Sequence, residues 1–211
     1  MKALRGGVTQ EEQHAYHLKD GRAPIFEVGQ PGRIDLARML VEKILLMEPQ
    51  RPLRIIELGC GAADISGPYA NGPTYKTPRG WIDTKGIEVV GVDWVPEAQR
   101  VSSQRFPGMT FVWAPVETLA PMDCDILVLC EFLEHVADPK RIVSDWLPRA
   151  RYSIIGHPLN EPDPPFEPGH CWSYEEADWW AWFEMGRHHP QERFLFPMGP
   201  WADMIMGWSI R

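Results

Sequence analysis

Three groups of residues in this chain have the types and spacings that chemistry needs. The first is Glu131-Phe-Leu-Glu134-His135. On a helix, positions i, i+3 and i+4 share a face, so two carboxylates and an imidazole would converge there as metal ligands, or as a base with acidic neighbours. An acidic first helical turn favoured by the macrodipole, with His135 merely capping or packing, explains the same residues without chemistry. The second group is Arg54 to Asp64, an apolar run ending in Glu57, with Gly59 and Gly61 leading into a segment able to start a helix. A strand, a tight turn and a helix start make a ligand cradle: glycine lets the backbone approach a bound molecule, and the helix start offers unpaired N–H groups. The third is Asp93, which closes a second apolar run, where a carboxylate can accept both hydroxyls of a ribose.

The elements that must hold these groups follow from hydrophobic pattern. Leu36, Leu40, Val41, Ile44 and Leu45 share one face of a helix predicted over Asp35 to Met47, which Pro49 and Pro52 stop. Strands are predicted at Leu53–Leu58, Glu88–Val92, Thr110–Trp113, Asp125–Cys130 and Tyr152–Ile155, with helices at Pro96–Phe106 and Pro139–Leu147 between them. Asn71 to Gly86, rich in Gly, Pro and Thr, reads as an inserted loop. Alternation at this spacing predicts a parallel, doubly wound α/β sheet whose ligands lie beyond the carboxyl ends of the strands. Beyond Gly156 come a proline-rich loop, an aromatic-rich helix over Tyr174–Met185, and two strands, Glu192–Phe196 and Met204–Ile210, suited to an antiparallel pair. Trp and Phe at helical spacing fit a core more readily than a lid over an acceptor pocket.

The 211 residues suit one domain, 34–211, preceded by a Gly- and Pro-containing arm over 1–33. A formal charge of −8 opposes the phosphate field of duplex nucleic acid. No run spans a bilayer and Met1 to Gln13 lacks the apolar core of a secretory signal, so a cytoplasmic protein without membrane contact is expected. The four cysteines form no CxxC or zinc-ribbon spacing and read as reduced, mostly buried thiols. His14 and His17, three apart in the arm, lack a third ligand and read as a surface helix face.

Glu57-x-Gly59-x-Gly61 resembles the first motif of class I S-adenosylmethionine methyltransferases. The resemblance implies a Rossmann-like, seven-stranded sheet with an antiparallel C-terminal strand pair, and a cofactor held by Glu57, Gly59, Gly61 and Asp93. A dinucleotide-binding fold is the rival, but Glu57 would meet a pyrophosphate with like charge, whereas the amino group and sulfonium of S-adenosylmethionine are cationic. Ala63 stands where a third glycine is usual, and Pro115 where relatives carry an acidic adenine contact. Adenine contact therefore passes to the backbone of Val116 and to Trp94, which can equally be a packing residue.

The Glu-x-x-Glu-His stretch resembles its counterpart in ubiquinone-biosynthesis O-methyltransferases and in small-RNA 3′-terminal 2′-O-methyltransferases. In the RNA group the two glutamates and the histidine bind a divalent ion with a later histidine, and His170 in Gly169-His170-Cys171-Trp172 occupies that place. The resemblance thus implies Glu131, Glu134, His135 and His170 as ligands of Mg, Mn, Fe or Zn, Glu131 also lying beside the cofactor. His135 and His170 are the candidate catalytic groups. His157, after the fifth strand, either lines the acceptor pocket or is structural. Asp163-Pro-Pro-Phe166 matches a tetrapeptide of amino-methylating DNA enzymes but follows the wrong strand, and reads as a proline-rich loop. The functional expectation is O-methylation of a small hydroxylated molecule, by a monomer or homodimer. N-methylation, methylation of an RNA 3′ terminus, and a non-catalytic cofactor-binding scaffold are the alternatives.

Overall fold

Period-two burial in the apolar runs builds the sheet. Ile56, Leu58, Leu127, Leu129 and Ile155 face one core and Ile55, Ile126, Val128 and Ile154 the other, so these strands are covered on both sides. The computed structural model describes residues 1–4, 31–48, 52–78, 80–163, 169–197 and 203–211. The arm over 1–33, including His14 and His17, lies almost wholly outside them, as do residues 164–168 of the proline-rich loop.

In chain order the elements are β1 (Lys2–Ala3), α1 (Pro31–Met47), β2 (Leu53–Leu58), β3 (Thr74–Thr77), β4 (Gly80–Asp83), β5 (Ile87–Asp93), α2 (Pro96–Arg105) and β6 (Thr110–Trp113). There follow β7 (Cys124–Cys130), α3 (Pro139–Trp146), β8 (Ala150–Leu159), β9 (Trp172–Ser173), α4 (Glu176–Gly186), β10 (His189–Pro197) and β11 (Asp203–Ile210). The main sheet has seven strands in the order β10-β11-β8-β7-β2-β5-β6. Its inner pairings are parallel, and β11 joins antiparallel to both β8 and β10. This is the α/β doubly wound sheet with an antiparallel C-terminal pair that the alternation predicts. The chain winds outward from β2 to β5 and β6, then returns to lay β7 on its other side, so the order reverses between β2 and β7. A ligand crevice belongs at the carboxyl ends of those two strands.

Helix α1 covers one face through Ala37, Leu40, Val41, Ile44 and Leu45, all buried. Helices α3 and α4 cover the other through Ile142, Val143, Trp146, Trp179, Trp182 and Phe183. The aromatic helix is thus core: each such side chain contributes about 1.5–3 kcal/mol of burial. Asp138 accepts from the Arg141 N–H at 3.1 Å and caps α3, while Glu175 and Asp178 form a reciprocal capping box on α4.

Two local readings change. The insert at 71–86 contains an antiparallel hairpin of β3 and β4, whose Ile82 is buried against the α1 side of the sheet. Its Tyr75 meets Tyr69 edge to face, with ring centroids 5.1 Å apart. After β2 no α-helix starts; a series of turns leads to one 3-10 turn over Gly67–Ala70. Gly59, Gly61 and Ala63 all take left-handed backbone angles, which a helix cannot accommodate. No helix among the described residues is long and apolar enough to cross a membrane.

Candidate functional site

The turn after β2 is tied to the strand beside it. The N–H groups of Gly59 and Cys60 donate to the Val92 carbonyl at 2.8 and 3.0 Å. Asp93 then braces both sides, accepting from the Gly61 N–H on Oδ2 and the Val95 N–H on Oδ1, each at 2.9 Å. These two bonds fix Asp93 at the tip of β5. Glu57 is buried beneath the turn, where its Oε2 accepts from both the N–H and the hydroxyl of Ser66. Burial pushes the Glu57 carboxyl up to about 7, with the Ser66 bonds opposing the rise. Trp94 is half-buried and its carbonyl accepts from Trp113 Nε1 at 2.7 Å. Val116 is buried at the first position of a 3-10 turn, where the N–H has no partner within the turn.

Gly59 has φ +68°, and a Cβ there would lie 2.5 Å from Phe132 Cδ2. The cradle and the segment after β7 are therefore in direct contact. That segment is not the helix its spacing suggests. Glu131 has φ +53°, and only Leu133–His135 form a 3-10 turn, closed by the His135 N–H on the Phe132 carbonyl at 3.0 Å. Pro139 stands four residues beyond His135, has no N–H for its carbonyl, and its ring would clash there, so an α-helix cannot run through the stretch.

The carbonyls that a helix would use are engaged from across the chain instead. Tyr174 Oη donates to the Leu133 carbonyl at 2.7 Å, the Cys171 N–H to Glu134 at 2.7 Å, and Trp172 Nε1 to Val136 at 2.8 Å. These cross-links bring Glu134, His135 and His170 together, with one potential ligand atom from each lying within 4.8 Å of the others. The two imidazoles meet edge to face at 4.6 Å between centroids. Both oxygens of Glu134 are buried and accept nothing from other residues among those described. Burial, reinforced by Glu131, pushes its carboxyl up to about 8. A buried carboxylate beside two imidazoles is a donor set of the kind that suits a divalent cation.

Glu131 is placed differently. Its Oε2 is ion-paired with Arg33 at the start of α1, and it lies outside the three-residue cluster; its Oε1 is buried without a hydrogen-bond partner among the described residues. Burial raises its pKa, with the Arg33 guanidinium opposing. His170 Nδ1 is bonded to Glu161, and His135 Nδ1 to the Gly169 carbonyl at 3.1 Å. His157 is fully buried, bonded through Nδ1 to the Pro158 carbonyl at 3.0 Å and packed on Tyr174; burial pushes its pKa down to about 4, so it is neutral.

Arg33 and Glu161 were not legible as site residues. Arg33 falls in the apparent arm and Glu161 in the proline-rich loop, neither of which carries a periodic pattern. The nearest available signal was an acidic residue nine positions before His170.

No protein-family model matches the sequence, and no curated protein matches it by sequence. The fold is similar to magnesium protoporphyrin IX methyltransferase of Synechocystis PCC 6803, solved with S-adenosylmethionine bound, at TM-score 0.68 and 16% identity over 100% of this chain and 99% of that one. It is also similar to a TehB-like S-adenosylmethionine-dependent methyltransferase of Corynebacterium glutamicum, at TM-score 0.59 and 16% identity over 95% and 97%. The seven-stranded sheet, its antiparallel closing pair and these likenesses together give the chain the class I S-adenosylmethionine-dependent methyltransferase fold.

Proposed function

We propose that this protein is an S-adenosylmethionine-dependent methyltransferase that methylates oxygen on a small hydroxylated acceptor, with a divalent cation at Glu134, His135 and His170. The observation that carries the acceptor chemistry is the buried Glu134 carboxyl group, without a hydrogen-bond partner among the described residues, beside two imidazoles at the carboxyl edge of the sheet. The cofactor reading rests on the strained turn against Phe132, on Asp93 at the tip of β5, and on the fold. Its adenosine would lie along Asp93, Trp94 and the Val116 backbone. Its amino-acid end would sit over Gly59 and Gly61, where the Arg33–Glu131 pair offers one charge of each sign to an α-carboxylate and an α-ammonium.

A divalent ion bound at the cluster supplies Lewis acidity that lowers the pKa of an acceptor hydroxyl. The protein's own part is geometric: Glu134, His135 and His170 set the acceptor oxygen in line with the sulfonium methyl, opposite the departing thioether. The O–CH3 bond forms as the S–CH3 bond breaks, the thioether S-adenosylhomocysteine is released, and the hydroxyl proton passes to solvent water. In a metal-free variant of this mechanism, Nε2 of His135 or His170 takes that proton as general base. Clustering of His170 with Glu134 and His135 also favours a second acceptor, the 2′-hydroxyl of a short RNA end, which needs little of a surface with net charge −8.

Transfer of labelled methyl from S-adenosylmethionine to a panel of phenols, diols and short RNA 3′ ends, with and without chelator, tests this. Transfer that chelator abolishes and Glu134→Ala removes is expected. Full turnover by Glu134→Ala would refute the metal site, and cofactor uptake without transfer to any acceptor would favour the scaffold alternative.

A further inference from the structure

Both imidazoles of the cluster have Nδ1 held by an oxygen, but by oxygens of different kinds. His135 meets the neutral carbonyl of Gly169, whereas His170 meets a carboxylate, that of Glu161. Glu161 and His170 are only 6% and 7% exposed. Burying a carboxylate costs several kcal/mol unless it is paired, so its place beside this particular imidazole needs a return. A neutral imidazole carries one N–H and one lone pair, and which nitrogen has which is set by the bond the other makes.

We propose that Glu161 is the positioning residue of the site: by accepting the Nδ1–H of His170 it fixes the tautomer whose Nε2 lone pair is offered to the cation held with Glu134 and His135. The inference rests on the cation site proposed above. Gly169 does the same for His135 through its carbonyl, so both rings present an unprotonated Nε2, as ligation requires. The charged acceptor also makes His170 a stronger donor than His135, as a carboxylate–histidine pair does beside a metal.

The test uses the full chain, Glu161→Gln and Glu161→Ala, each checked for cooperative thermal unfolding. In metal-free protein, nitrogen-15 spectra of the histidines report the tautomer directly. His170 is expected as Nδ1–H in wild type, retained in Glu161→Gln, whose amide oxygen still accepts, and lost to a mixture in Glu161→Ala. Titration with Co2+, followed by its visible absorption, is expected to weaken about 10–100-fold in Glu161→Ala and by less than about tenfold in Glu161→Gln. Unchanged tautomer and unchanged Co2+ affinity in Glu161→Ala would overturn the role of Glu161 while leaving the cation site standing. Failure of wild type to take up Co2+ would overturn the cation site instead, and the tautomer spectra, which need no metal, would then decide Glu161 separately.

Discussion

Gly59→Ala probes the contact that joins the cofactor cradle to the acceptor segment. Two costs arise from the structure. The residue has φ +68°, where an L side chain loses about 1–2 kcal/mol. The new Cβ would also lie 2.5 Å from Cδ2, 3.1 Å from Cγ and 3.2 Å from Cβ of Phe132. Those are atoms of the ring and its root in a buried side chain, so the clash moves Phe132 as a whole and adds about 1–3 kcal/mol. The sum is a loss of about 2–5 kcal/mol, or roughly 2–4 °C in melting temperature for each kcal/mol in a chain of this size. Because Glu131 and Leu133 flank Phe132, uptake of S-adenosylmethionine and of Co2+ should weaken together. A double-mutant cycle with Phe132→Leu, read by chemical denaturation, separates the two costs. The smaller side chain should relieve the clash but leave the backbone cost, giving a coupling of about 1 kcal/mol or more. A Gly59→Ala protein within about 0.5 kcal/mol of wild type, or strict additivity in the cycle, would refute the proposed contact.

Three further outcomes follow from single side chains. The Glu57 carboxyl, pushed up to about 7 from 4.5, costs the folded protein stability as pH rises from 4.5 through 7. A cationic cofactor prefers the ionised form, so S-adenosylmethionine should bind about tenfold more weakly at pH 6 than at pH 8 by calorimetry, and Glu57→Gln should flatten that profile. His157 moves the other way: its pKa falls to about 4 from 6.5, so its contribution is intact above pH 6.5 and is lost as pH drops toward 4, up to about 3 kcal/mol. Wild type should therefore lose stability relative to His157→Gln over that interval, and parallel denaturation curves would contradict it. Arg33→Ala strips Glu131 of its countercharge at a mostly buried pair, so a loss of about 1–3 kcal/mol is expected at pH 8, restored in part by adding Glu131→Gln; no restoration would mean the pair is not what holds Glu131.

The sheet was legible because its strands are apolar runs with few competing signals. Leu53–Leu58 and Thr110–Trp113 keep the predicted bounds, and Glu88–Val92 and Asp125–Cys130 differ by a residue or so at their ends. Tyr152–Ile155 lengthens to Ala150–Leu159 because β7 pairs back to Ala150 and β11 pairs on to Leu159, partners that the local pattern does not reveal. The hairpin at 74–83 was hidden by its glycines, prolines and threonines, which read as loop although Tyr75 and Ile82 point to a buried face. At the site, residue types were legible and geometry was not. The helical spacing of Glu131, Glu134 and His135 suggested a shared face, yet Glu131 is left-handed, carbonyl partners from 171–174 hold the 3-10 turn that follows, and Pro139 stops a helix from running on through it. Glu131 is thereby turned to Arg33, and His170 enters from a loop with no pattern of its own.

Calorimetric titration of the purified protein with S-adenosylmethionine and with S-adenosylhomocysteine tests the cofactor assignment most directly. Saturable uptake of both, lost in Asp93→Ala and with no comparable uptake of a nicotinamide dinucleotide, is the predicted result. Binding of the dinucleotide with no uptake of either sulfur compound would contradict it.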